Sequence, residues 1–102
     1  MQCDVYLSRR ASRDDAPYLL DVQADLLDEL ETRVVVPLMR VEHFGRRARG
    51  LHPTFNIAGQ TFVMATHLLG AVRRSDLGDI VASLRDHRAA VIGAVDVLLA
   101  GV

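Results

Sequence analysis

Apolar positions run in short blocks over most of this chain and recur at helical spacing only near its end. Val5, Tyr6 and Leu7 are β-formers, and the stretch Gln2 to Leu7 predicts a first strand. A polar loop, Ser8 to Pro17, rich in Arg, Asp and Ser, is expected to follow. Tyr18 to Val22 reads as a second strand and Thr32 to Met39 as a third. In the third, the β-branched run Val34, Val35, Val36 predicts burial on both faces. Pro37 has no amide hydrogen to give a ladder, so an edge, a bulge or a bend is expected there. Val41 to Gly50 fits a short helix or an irregular excursion between glycines. Thr54 to Ile57 and Thr61 to Thr66, joined by Ala58-Gly59-Gln60, read as a hairpin with Phe55, Ile57, Phe62 and Met64 facing inward. His67 to Val72 continues that strand or begins another.

Beyond that point the period changes. Ser83 and Asp86 have capping-box spacing, which predicts a helix start. Leu84, Val91, Ile92, Val95, Leu98, Leu99 and Val102 then recur at steps of three and four, while Val97 to Val102 is apolar on every side. A surface helix does not normally end that way, so a partner is expected to cover part of its end.

Composition narrows the class. Of 102 residues, half are hydrophobic and none is Trp, which describes one domain, residues 1–102, with a single core. A chain of this size buries about 65% of the surface its unfolded form exposes. Twelve basic residues, all Arg, against thirteen acidic ones give a net charge of −1, without the positive field of a dedicated nucleic-acid binder. The lone Cys3 allows no internal disulfide, and neither a signal-peptide run nor a membrane-length apolar segment is evident. A cytoplasmic protein with no membrane association is the expectation.

Candidate chemistry is sparse. His43, His52, His67 and His87 have no metal-ligand spacing, and His67 and His87 are remote from the other two. No metal, cofactor or catalytic set is expected. Asp21, Asp25, Asp28, Glu29 and Glu31 lack the order of a calcium loop and read as a solvated acidic loop. Cys3 reads as a small buried hydrophobe. The cluster Arg40, His43, Arg46, Arg47, Arg49 and His52 has more promise, since Arg neutralises phosphate and His moves protons. It fits binding of an acidic partner, ribonuclease chemistry, or a plain solvated face.

Several separate strings occur in family order: Met1-Gln2 with Val5-Tyr6, Arg10-Ala11-Ser12-Arg13, Asp21-Val22-Gln23 with Asp25, Val36-Pro37-Leu38, His52-Pro53, Ile57-Ala58-Gly59 and Ala100-Gly101-Val102. Together they resemble the CcdB toxins over essentially the whole chain. The resemblance implies a mainly β protein with a C-terminal α-helix: an SH3-like barrel of the CcdB/MazF toxin type with a smaller sheet, assembled as a homodimer. It implies a type II toxin encoded beside a CcdA-like antitoxin, acting without catalysis by binding the A subunit of DNA gyrase. The gyrase contact would be made by Ala100, Gly101 and Val102. Family members read Trp-Gly-Ile there, so the aromatic anchor is replaced by Ala; truncating such an anchor commonly costs about 2 kcal/mol or more. Antitoxin binding falls on Arg9, Arg10, Arg13, Arg46, Arg47 and Arg49, whose charge suits an acidic disordered tail. The alternatives are a MazF-like ribonuclease toxin, or a non-toxic homologue that still binds antitoxin.

Overall fold

The computed structural model describes residues 1–9 and 16–101. Among these residues seven strands are found: β1 (Asp4–Ser8), β2 (Tyr18–Asp21), β3 (Thr32–Arg40), β4 (Thr54–Ile57), β5 (Gln60–Met64), β6 (Gly70–Arg73) and β7 (Leu77–Ser83). One helix, α1 (Arg88–Ala100), follows them. All pair antiparallel in one sheet of order β4-β5-β3-β2-β1-β7, with β6 also on β3. The mainly β fold with a C-terminal helix is as expected, the sheet curling into a half-barrel.

The long central strand β3 explains both the burial of the Val triplet and the place of Pro37. Val36 belongs to the main core with Val5, Leu20, Leu38, Phe62 and Met64, whereas Val35 packs on the opposite face with Leu19 and Leu77. Burial on both faces is therefore present. On one side β3 pairs with β2 from Val35 to Leu38; on the other, Val35 is opposite Gly70 of β6 and Leu38 opposite Met64 of β5. Pro37 lies between these two partners, where its missing donor breaks no continuous ladder. It marks a change of partner in an interior strand, not an edge.

The hairpin is as read, with Phe55, Ile57, Phe62 and Met64 all in the core. Its loop is one residue shorter than expected: Gln60 already pairs with Ile57, leaving Ala58 (φ +53°) and Gly59 (φ +82°) as a two-residue primed turn. The first strand also starts later. Gln2 and Cys3 lie in a turn closed by the Asp4 amide donating to Met1 O, with Cys3 at φ +72°. Cys3 is buried as expected, and burial pushes its thiol above the ordinary range, as suits an inert core residue.

The region before α1 departs most from expectation. Leu77–Ser83 is an edge strand, so Ser83 belongs to the sheet and caps no α-helix. Its Oγ accepts from the Arg85 amide at 3.3 Å, Arg85–His87 forms a 3₁₀ turn, and α1 begins only at Arg88. Gly78 permits the β1–β7 approach: an added Cβ would lie 2.8 Å from Leu7 O. Val91 and Ala94 bury α1 against the core, and Leu84 anchors the turn before it.

Candidate functional site

Three surfaces hold the side chains that carry chemistry or contact. The first is the end of α1. Leu99 is 73% exposed, Ala100 is exposed, and Gly101 closes the helix at φ +73° with its amide donating to Val97 O at 2.9 Å. Of the apolar end foreseen from sequence, Leu99, Ala100 and Gly101 are therefore presented to solvent in the single chain, while Val97 and Leu98 are half-buried. Val102 lies outside the described residues.

The second surface is the Arg-rich loop. Val41–His43 forms one 3₁₀ turn, and the chain then runs irregularly through exposed Arg46, Arg47 and Arg49 to a turn at Gly50 (φ +79°). An added Cβ at Gly50 would sit 3.8 Å from the Val97 side chain, which places this loop beside α1. The six-residue cluster inferred from sequence is divided. Arg40 is on β3, donating to Gln60 Oε1 at 2.7 Å and lying 5.8 Å over the Phe62 ring. His52 turns to His67, which sequence reasoning had set apart: Nε2 and Nδ1 are 2.9 Å apart, with Phe44 edge-on to both rings. Burial and then the neighbouring His67 hold His52 below the ordinary histidine range. Arg9 leaves the end of β1 with its amide donating to Asp76 O, so it is anchored on another part of the sheet. Arg10 and Arg13 lie outside the described residues.

The third surface, the connection from β2 to β3, was misread as a solvated acidic loop. Asp21 is fully buried, its Oδ2 accepting from Arg33 Nε at 3.0 Å and Nη2 at 2.6 Å, and its Oδ1 from the Gln23 amide. Arg33, 2% exposed, also donates to Asp28 Oδ1 at 2.8 Å. Burial opposes the Arg33 charge, but the bond to Asp21 and both carboxylates outweigh it and hold the guanidinium above its ordinary value. Gln23 Nε2 donates to Leu27 O, and Arg74 donates to Asp28 O and Leu30 O. Polar side chains thus fill the inside of this connection, while Leu26 (93% exposed), Leu27 and Leu30 face out. Asp25, Glu29 and Glu31 are the exposed carboxylates expected, with Asp25 Oδ1 accepting the Gln2 amide at 2.8 Å. A double leucine among acids in a stretch too short for an amphipathic helix was the available signal.

Among the described residues, no three His, Cys, Asp or Glu side chains gather to hold a metal, and no helix is long and apolar enough to cross a membrane. The sequence matches the CcdB protein family over residues 2–101. This chain belongs to the CcdB family. Two solved structures share the CcdB-family fold seen here. An endoribonuclease in complex with its cognate antitoxin, from a mycobacterial species, gives a TM-score of 0.77 at 15% identity, covering 97% of this chain and 93% of that one. The Mycobacterium tuberculosis toxin MazF-mt6 gives 0.69 at 17%, covering 91% and 92%. At such identities the likeness is one of fold. CcdB-family membership on this fold supports a toxin of a toxin–antitoxin system.

Proposed function

We propose that this CcdB-family protein is a toxin that acts by binding another protein. Its target is the A subunit of DNA gyrase, and its neutralising partner is a CcdA-like antitoxin. The observation that carries the reading is the end of α1, where exposed Leu99 and Ala100 lead through a left-handed Gly101 cap into Val102. Exposed apolar groups on a domain whose core is already complete suit a contact surface. Leu26, Leu27 and Leu30 add a second such surface. Gyrase contact is assigned to Ala100, Gly101 and Val102.

The same protein is proposed as a homodimer. Among the described residues β7 is the last strand of the sheet, and it exposes Ile80 and Val81; proteins normally protect such an edge. Arg9, Arg10, Arg13, Arg46, Arg47 and Arg49 are assigned to the acidic antitoxin tail, in the cytoplasm.

The test is addition of purified protein to gyrase and supercoiled DNA. Accumulation of cleaved-DNA complexes supports the reading; their absence at high protein concentration overturns the gyrase assignment. Replacing Ala100→Trp restores an aromatic anchor and is expected to tighten gyrase binding about tenfold or more. Degradation of single-stranded RNA that is lost in Arg47→Ala or His43→Ala would instead establish a ribonuclease. Harmless expression in a sensitive host, with antitoxin binding kept, would identify a non-toxic homologue.

A further inference from the structure

The contact between His52 and His67 does more than fill space, because its hydrogen bonds leave both rings without a spare basic nitrogen. His52 Nδ1 accepts the Ala48 amide at 2.9 Å. A ring nitrogen that accepts carries no proton, so the single proton of neutral His52 is on Nε2. That nitrogen lies 2.9 Å from His67 Nδ1 and donates to it, which leaves the proton of neutral His67 on its own Nε2. The chain Ala48 N–H to His52 to His67 has one direction only. A proton added to His67 Nδ1 sets two donors against each other. Moving the His52 proton to Nδ1 relieves that conflict but creates the same one at Ala48. Either way, one of the two hydrogen bonds breaks.

Ala48 is where the loop is fastened. Its carbonyl accepts the amides of Leu51 and His52, while its own amide is held by the His52 ring. From the other side, Thr66 Oγ1 donates to Leu51 O, fixing the turn that carries His67. We propose that His52 and His67 form a proton-operated latch, which holds the loop bearing Arg46, Arg47 and Arg49 at neutral pH and releases it when the pair takes up one proton.

The surroundings fit a latch that opens on the acid side. Phe44 sits against both rings, with centroids at 4.9 and 6.0 Å, and offers no countercharge. The loop itself brings Arg46, Arg47 and Arg49, the preceding turn brings Glu42 and His43, β3 brings Arg40, and α1, which packs on Thr66–Leu68, brings Asp96. Burial, and then the neighbouring His67, disfavour the charged form of the His52 ring.

The test uses isotope-labelled full-length protein with no partner, so it stands apart from the antitoxin assignment. Long-range proton–nitrogen spectra are recorded from about pH 7.5 to about pH 5, the span in which histidine titrates. At the upper end both rings should carry their proton on Nε2. On acidification the ring nitrogens and the Ala48 amide should shift with one shared midpoint. Exchange of the Ala48 amide, corrected for its intrinsic rate, should rise about tenfold, as for local opening. His52→Phe should show that faster exchange already at the upper pH. A proton on His52 Nδ1 at neutral pH, an Ala48 amide that ignores the ring titration, or unchanged Ala48 protection in His52→Phe overturns the latch. The wild-type spectra decide the matter alone if the variant does not fold.

Discussion

Ala58 occupies a conformation that favours glycine. At φ +53° it sits beside Gly59 in the primed turn, where an L side chain costs about 1–2 kcal/mol relative to its ordinary backbone. Part of that is recovered by the lower entropy of Ala in the unfolded chain, so Ala58→Gly should stabilise the protein by about 0.5–1 kcal/mol, read as a shift of the urea midpoint at constant slope. Asp21 poses the opposite case. Asp21→Asn keeps the shape but leaves Arg33 buried with only the half-exposed Asp28 as counterion. A loss of about 3 kcal/mol is expected from denaturant unfolding, and a value near zero would mean that Asp28 alone neutralises Arg33. Neither feature was legible beforehand. Ile57-Ala58-Gly59-Gln60 announces a turn but not its length, and Asp21 looks like any other member of an acidic run. Its burial is fixed by Arg33, twelve residues later, through the β2–β3 pairing.

Among the elements, those that bury several apolar side chains were readable: β2 and β3, which bury consecutive apolar residues, and the hairpin β4–β5. Those stabilised by neighbours were not. In β7, Asp79, Ile80 and Val81 are all exposed, so it has no buried period to detect. It exists because β1 offers a ladder and Gly78 lets Leu7 come close. Gly78→Ala should therefore cost about 1–3 kcal/mol by overpacking, with faster amide exchange first in β1 and β7; loss confined to α1 would contradict this account. The helix start was misplaced for a related reason: Ser83 and Asp86 have the right spacing, but Ser83 is already committed to pairing with Asp4.

At the scale of the whole molecule, stability should depend on pH through His52. Its ring is held below the ordinary value of about 6.5, so the unfolded chain binds the proton more readily than the folded one. The contribution of neutral His52 is thus complete above that value and is lost as pH falls through the folded-state midpoint. Melting temperature should drop from about pH 7 to about pH 5, by less in His52→Phe than in the wild type. Equal drops would assign the acid sensitivity to other groups. The candidate contact surfaces were only partly foreseen. The apolar end of α1 stood out because helical period fails there, whereas the outward leucines became visible only once the polar interior of their connection was known.

That connection separates two jobs usually shared by the same atoms. Its shape is fixed by Gln23, Arg33 and Arg74 gripping backbone carbonyls and Asp28, so Leu26, Leu27 and Leu30 are an interchangeable face on a fixed mount. Substitution on this face can therefore proceed without disturbing the polar contacts that hold the connection. A library randomised at these three positions should keep wild-type melting behaviour in most members, within about 0.5 kcal/mol as for ordinary surface substitutions. Widespread unfolding in such a library would show that the leucines support the loop after all.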